Sequence, residues 1–451
     1  MIDEWEMRSG KIGRLFLRFV FPATIGMIVA GIQGIIDGFF IGNAVGIQGL
    51  AAVTLALPTL IIMIAAGHVI GIGTASLVAL SLGRGDRMEA LRLMHNAILL
   101  IMLAGIALAA FGMLLSDSFL RLLGASGPAF AMANAYIKVL FAGSIFLLLT
   151  IALDPLVRND GRPNYSMIAM VMSVITNFGL DYLFIIRMHM GVTGAAMATV
   201  IAFSVSGILL FIYLISGQAR LKLKPRSMRL EPGIALGIIR AGLPSLAMQL
   251  ANFILLFANN YMLLRYGSEL AVSGYAIIGY TFSIFSLLVE GIAIGAQPII
   301  GFNYGARNYH RVAKTLKISI VSCLGIGAIG FLLVSFFPEQ LICIFNHDNP
   351  ELMAITRNGM EIVAFSFLAE GTVVLSSIYF QSISRVRSAL FIQIGKVFLF
   401  LLPLLWILPS LVGLDGVWLA TPAADFLMLF VVLGLFRREF SFLRGHNLIY
   451  K

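Results

Sequence analysis

Charge is what this sequence has least of. Only 12% of its 451 residues are Asp, Glu, Lys or Arg, and 60% are hydrophobic, whereas ordinary soluble domains carry about 25% charged residues. Such a chain cannot cover itself in water, which excludes a soluble globular domain. Cysteine is also scarce: Cys323 and Cys343 match no zinc or redox spacing, so packing roles are expected and a disulfide framework is excluded. No Gly-rich phosphate loop ends in Lys-Ser or Lys-Thr, which argues against an ATP-driven pump on this chain. The six histidines show no paired metal spacing. Neither enzymatic activity nor an organic cofactor is expected. The net charge of +10 does not indicate nucleic acid, because the basic residues sit in short loops between apolar runs.

Apolar runs of twenty or more residues are abundant, the length a helix needs to cross a hydrocarbon core about 30 Å thick. The first starts near Ile12, exceeds 25 residues and lacks a small-residue cleavage site, so it reads as a retained span and not a signal peptide. Spans are expected near 13–41, 50–80, 93–115, 133–157, 165–186 and 192–215, then 236–263, 271–300, 315–337, 357–380, 388–409 and 414–436. Alternate loops carry the positive charge. One side holds only Arg121, Lys138, Arg187, Arg265 and Arg357, Lys396 lies within a run, and the rest of the 31 Lys and Arg fall on the other side. Both termini are therefore expected in the cytoplasm.

A basic, Pro-containing stretch divides six spans from six. The expected organisation is an N-terminal lobe over 1–215, a cytoplasmic linker over 216–235 and a C-terminal lobe over 236–451. The second half repeats the first at offsets of 220 to 222 residues. Pro22 matches Pro244, Gly85 and Arg87 match Gly305 and Arg307, and Gly191, Gly194 and Thr199 match Gly413, Gly416 and Thr421. The fold class is thus an all-α polytopic membrane protein with twelve transmembrane helices in two pseudo-symmetric six-helix bundles, a repeat geometry common in transporters.

Ionisable side chains inside a membrane are expensive and mark ion or substrate paths by default. The first half carries Asp37 in span 1 and Asp181 in span 5, with Asp154 near the end of span 4. At about 1.5 Å per residue, Asp37, Asp181 and Thr199 all lie roughly 7 Å from the same membrane face. Gln33 and Asn177 each precede an aspartate by four residues and share its helix face. Two carboxylates, two amides and a hydroxyl can therefore meet, and one proton or one sodium ion would offset their charge. The plainer alternative is a satisfied interhelical hydrogen-bond network.

The second half places Glu290, Glu370, Lys396 and Asp425 at mid-span. A structural ion pair and a substrate or ion path are both open readings for them, and Lys396 must find a carboxylate or lose its charge. The excess of interior acids favours cationic cargo. Pro22 removes one backbone bond from span 1 and is the expected kink or hinge. Glycines at 34, 38, 42 and 46 have the spacing that lets a neighbouring helix approach. Some of the 34 Phe and 21 Met could line a cavity for flat lipophilic molecules.

These residues resemble the multidrug and toxic compound extrusion (MATE) transporters over nearly the whole chain. The resemblance is carried by Phe21-Pro22, Ile36-Asp37-Gly38, Leu50-Ala51-Ala52, Asn177-Phe178-Gly179-Leu180-Asp181-Tyr182 and Gly191 through Thr199. It implies two six-helix bundles that export cations by rocking between inward and outward states. The Asp37, Asn177, Asp181 and Thr199 pattern is similar to the branch named for DinF, in which such a pocket couples to the driving ion. The NorM-like branch is associated with second-lobe carboxylates as well. Here span 7 offers only Asn259 and Asn260 at its outer end, while Glu290 and Glu370 keep that alternative partly open.

The expected function is drug-cation antiport in a bacterial inner membrane by a monomer, with the proton as leading coupling ion. Its partners are small lipophilic organic cations and membrane lipid. Sodium coupling at Asp37, Asn177, Asp181 and Thr199 is the first alternative. A lipid-linked precursor flippase is the second, and a receptor or scaffold without turnover the third.

Overall fold

A computed structural model describes residues 2–122, 127–223, 228–345 and 349–447. Residues 224–227 of the basic stretch, with Lys224 and Arg226, lie outside the described residues, as does Lys451. The chain is helical, with no strands among the described residues. That follows from the solvent, since in lipid a helix satisfies its backbone polar groups within itself. Among the described residues ten helices are long and apolar enough to span, or twelve when each of two bent helix pairs is taken as one span. The chain is an integral membrane protein.

In the first half, α1 is Ile12–Ala44, α2 is Ile47–Arg84, α3 is Arg87–Leu122, and α4 joins Gly127–Ala142 to Ser144–Asn159. Next, α5 runs through Pro163–Asp181 and continues as a π-helical turn, Tyr182–Arg187, and α6 is Gly191–Ile215. In the second half, α7 is Pro232–Tyr266, α8 Glu269–Gly305 and α9 Tyr309–Phe336, and α10 joins Pro350–Val363 to Ser366–Ser382. The eleventh span, α11, is Val386–Gly395, a π turn over Lys396–Leu401 and Leu402–Val412; α12 is Leu414–Asn447. Most of these helices run beyond the expected apolar cores, because polar end turns extend past the hydrocarbon. The fourth and tenth spans are not straight: α4 bends by 57° and α10 by 51°.

The matched glycines of the two halves have matched duties. Gly191 and Gly413 open the loops into α6 and α12 at φ +59 and +63, where a side chain would be strained. Three residues on, a Cβ at Gly416 would stand 2.4 Å from the Leu408 carbonyl, and one at Gly194 2.9 Å from the Met190 Cβ. The glycine series of α1 behaves otherwise than expected. Nothing lies within 4 Å of a Cβ built at Gly34 or Gly38, so these two positions face open space and do not seat a helix.

The chain forms two compact units, Met1–Glu4 with Ile25–Leu246, and Trp5–Thr24 with Ala247–Lys451. Each takes in the first part of a helix whose remainder belongs to the other. In unit 1, the start of α7 lies against α2: a Cβ at Gly242 would meet the Val69 carbonyl oxygen at 2.0 Å, and one at Gly73 the Ile238 oxygen at 2.4 Å. In unit 2, the start of α1 lies against α8, where a Cβ at Gly291 would be 2.5 Å from Thr24 Cα and one at Gly295 2.6 Å from Val20 Cα. Only glycine permits backbones this close.

Polar ties hold the same segments. In unit 2, Arg311 Nη1 donates to the Gly10 carbonyl at 2.8 Å and Nε to Asn303 Oδ1 at 3.1 Å, while Asn303 Nδ2 donates to the Met7 carbonyl at 3.3 Å. In unit 1, Asp160 between α4 and α5 accepts from Tyr213 Oη at 2.5 Å and from the backbone N–H groups of Arg220 and Leu221, each at 2.9 Å. Glu4 pairs there with Arg87 and Arg220. The basic residues thus fasten loops as well as bias topology.

Candidate functional site

Pro163 starts α5 as its first helical residue, a position where its missing N–H costs nothing. From Ser173 on the helix repeats a polar residue every four positions, and Ser173, Asn177 and Asp181 are all buried. Spacing of four keeps them on one helix face. The α register ends at Asp181, and the π turn begins with Tyr182. Such turns are rare and concentrate at functional sites.

The helices α1 and α6 complete the pocket. Phe40 of α1 meets Phe178 of α5 edge-on, with ring centroids 5.6 Å apart. Beside that contact, the side chains that reach the Asp37 carboxyl are Asp181, Asn177 and Thr199. Thr199 Oγ1 stands 3.5 Å from Asp37 Oδ2 and 3.0 Å from the Ala195 carbonyl oxygen. The hydroxyl has one hydrogen, and the carbonyl is the nearer acceptor. Gln33 is buried one turn before Asp37, further back along the same face and outside this immediate set.

The pocket is polar but internally unsatisfied. Asp37 Oδ1, both carboxylate oxygens of Asp181 and both polar atoms of the Asn177 amide are buried without a protein partner in hydrogen-bonding geometry. Buried polar groups are nearly always paired, so a cluster of orphans calls for explanation. Among the described residues, no Lys, Arg or His is paired with either carboxylate. Four acceptor oxygens and a hydroxyl without a matching cation can hold a proton between the two acids or ligate a small hard cation.

One member of the site has no sequence signal. Tyr136 of α4 is buried within electrostatic reach of both Asp37 and Asp181. It lies in an apolar run without charge or motif, and only the packing of α4 brings it there.

The remaining candidates lie elsewhere. Pro22 sits inside α1 without interrupting it, and the helix passes from unit 2 to unit 1 between Thr24 and Ile25. Asp154 is held by Arg158 and by the Ser166 hydroxyl. The four second-half residues belong to unit 2. Lys396 Nζ is 2.5 Å from Asp425 Oδ1, Ser286 Oγ lies 3.4 and 3.3 Å from the two oxygens of Glu370, and Glu370 is within electrostatic reach of Lys396, Asp425 and Glu290. Asn259 is buried and donates to the Leu255 carbonyl of its own helix at 2.9 Å. In unit 2, Phe253, Phe257, Tyr261, Met262 and Trp406 border an open surface groove of about 390 Å³.

Comparison with known proteins agrees with this architecture. The chain is similar to multidrug export protein MepA of Staphylococcus haemolyticus, at 27% identity over 97% of each chain. It is 26% identical to the protein of the same name from Staphylococcus saprophyticus, over 92% of each chain. Among solved structures, the outward-facing conformation of a multidrug resistance MATE family transporter of the MOP superfamily superposes with a TM-score of 0.92 at 24% identity, covering 97% of this chain and 98% of that one. The MatE family model matches twice, over residues 22–183 and 244–407, so that each half is one copy and the chain belongs to the MatE family.

Proposed function

We propose that this chain exports small lipophilic organic cations in exchange for an inward-moving cation, the proton in first place, with Asp37 and Asp181 as the coupling pair. The observation that carries this reading is the pocket of orphaned acid oxygens with no basic side chain beside it. The relatives' name, multidrug export protein, supplies the class of cargo. Gln33 and Tyr136 frame the pocket, and Asn177 and Thr199 supply neutral ligands.

A proton on Asp37 makes its carboxyl a donor. It can then face Asp181 without repulsion or donate to Thr199 Oγ1, whose own hydrogen is turned to Ala195. Either change alters how α1 is held at that depth. The Arg18 carbonyl of α1 lacks the N–H that a non-proline residue at 22 would supply, so rearrangement costs least near Pro22. Alternating exposure of the pocket follows from that step. The Lys and Arg asymmetry supports cytoplasmic termini in a bacterial plasma membrane, and a monomer suffices for this chemistry.

The test is efflux of a fluorescent lipophilic cation from proteoliposomes, with pH and sodium gradients imposed separately. A pH gradient is expected to drive efflux, and Asp37→Asn to lower it at least about tenfold at equal protein incorporation. Undiminished efflux by Asp37→Asn would falsify the coupling role. The oxygen-rich ligand set also favours a second reading, sodium coupling at Asp37, Asn177, Asp181 and Thr199. Efflux driven by sodium at constant pH decides for it.

A further inference from the structure

Unit 2 contains acids too, yet its chemistry is arranged differently. Asp425 of α12 is fully buried at 0% side-chain exposure, and Lys396 of α11 keeps 14%. The ammonium lies 2.5 Å from Asp425 Oδ1, and no hydroxyl, amide or backbone N–H approaches either Asp425 oxygen in hydrogen-bonding geometry. Among the described residues, Lys396 is the basic side chain paired with Asp425.

The backbone is shaped around that pairing. Helix α11 leaves α register at Lys396, and the π turn over Lys396–Leu401 lies against α12, which carries Asp425. In α5 the π turn likewise adjoins an ionisable residue, Asp181. In both halves the fifth helix is loosened where a charged side chain must be aimed, but one half aims an acid and the other a base. The other titratable groups facing Lys396 are Glu370 of α10 and, beyond it, Glu290 of α8.

We propose that Lys396 is a tethered cation: its ammonium stands beside Asp425 as a transported ion would stand beside the acids of unit 1, so that unit 2 carries its own counter-charge and takes up no coupling ion. Removing the amine would then uncover a latent cation site at Asp425, with Glu370 as its nearest second acid. The coupling stoichiometry of the chain is set by unit 1 alone. This rests on the cation pocket proposed for unit 1 only for the count of sites; the Lys396 pairing stands on its own geometry.

The experiment counts cations on the purified full-length protein, by sodium-22 equilibrium binding and by proton uptake after a pH step with an indicator dye. Four proteins are compared: wild type, Asp37→Asn, Asp37→Asn with Lys396→Met, and that double variant with Asp425→Asn added. Expected counts are one site, none, one and none. The last variant removes both partners of the buried pair and so keeps a folded reference. Absence of a gained site in folded Asp37→Asn/Lys396→Met protein overturns the proposal. So does residual uptake in Asp37→Asn protein that vanishes with Glu370→Gln, a measurement that needs no change at Lys396. If the wild-type site survives Asp37→Asn and Glu370→Gln alike while Lys396→Met still adds one, the unit 1 reading fails and this one stands.

Discussion

Three buried acid sites in this protein are balanced in three ways. Asp425 in unit 2 lies against an ammonium. Asp160 in unit 1 accepts from a phenol and two backbone N–H groups. Asp37 and Asp181 lie near each other and near the Asn177 amide, and only Asp37 has a hydroxyl in reach, the one that Thr199 also turns to Ala195. The first two are closed within the protein, and their partners are part of the fold. The third keeps oxygens without a partner in hydrogen-bonding geometry, which is where the proposed coupling ion would sit. Satisfaction of buried charge, more than burial itself, separates a structural acid from a working one.

Removing one acid at a time should break the three apart. The largest effect is expected from Asp425→Asn, which takes away the paired acid of Lys396 and leaves it only the more distant Glu370; the cost should be about 3 kcal/mol, seen as a clear fall in melting temperature in detergent. Lys396→Met/Asp425→Asn should recover much of that loss. At Asp37→Asn the sign differs, because removing one of two facing acids relieves repulsion, and melting should be unchanged or raised. Equal losses at Asp425 and Asp37 would erase the distinction.

Asp160→Asn should fall between. Burial pushes the Asp160 carboxyl above its ordinary range, and its three hydrogen bonds offset only part of that rise. An amide keeps one acceptor oxygen where the carboxylate had two, so at least one of the donors from Tyr213, Arg220 and Leu221 loses its acceptor. The expected cost is about 1–3 kcal/mol, with faster proteolysis of the 216–223 stretch that Asp160 ties down. An unchanged melting curve would show those bonds to be dispensable.

Much of this was legible before any coordinates. Asp37 and Asp181, with Gln33 and Asn177 four residues before them, and Thr199, counted from the ends of their spans, are sufficient to put polar groups of α1, α5 and α6 at one depth. The repeated Gly191 and Gly194 stand where a left-handed turn and a close backbone approach occur. Other features were not anticipated. The bend in α10 and the π turn at Tyr182 sit in sequence without a Gly or Pro at the break, because they answer to tertiary packing, whereas Gly143-Ser144 at the α4 bend and Pro403 after the α11 π turn were signals that the span assignment passed over. Depth alone could not pair Lys396 with Asp425 in preference to Glu370 or Glu290, since all four lie near mid-span. The glycine spacing of α1 misled at Gly34 and Gly38, where small size serves no contact.

The smallest effect, and the sharpest on the open site, is expected at Thr199. Its hydroxyl lies 3.0 Å from the Ala195 carbonyl and 3.5 Å from Asp37 Oδ2, so it can donate to the aspartate when that is anionic and accept from it when protonated. Thr199→Val removes both options but leaves the α6 backbone ladder intact, so melting should shift little. Loss of one hydrogen bond worth about 1 kcal/mol should weaken the apparent affinity for the coupling ion about fivefold, while Thr199→Ser keeps the wild-type value. In an Asp37→Asn background the valine should add almost nothing, because the partner it acts through is gone. An undiminished fivefold effect in that background would place Thr199 outside the coupling set and leave the two acids to work alone.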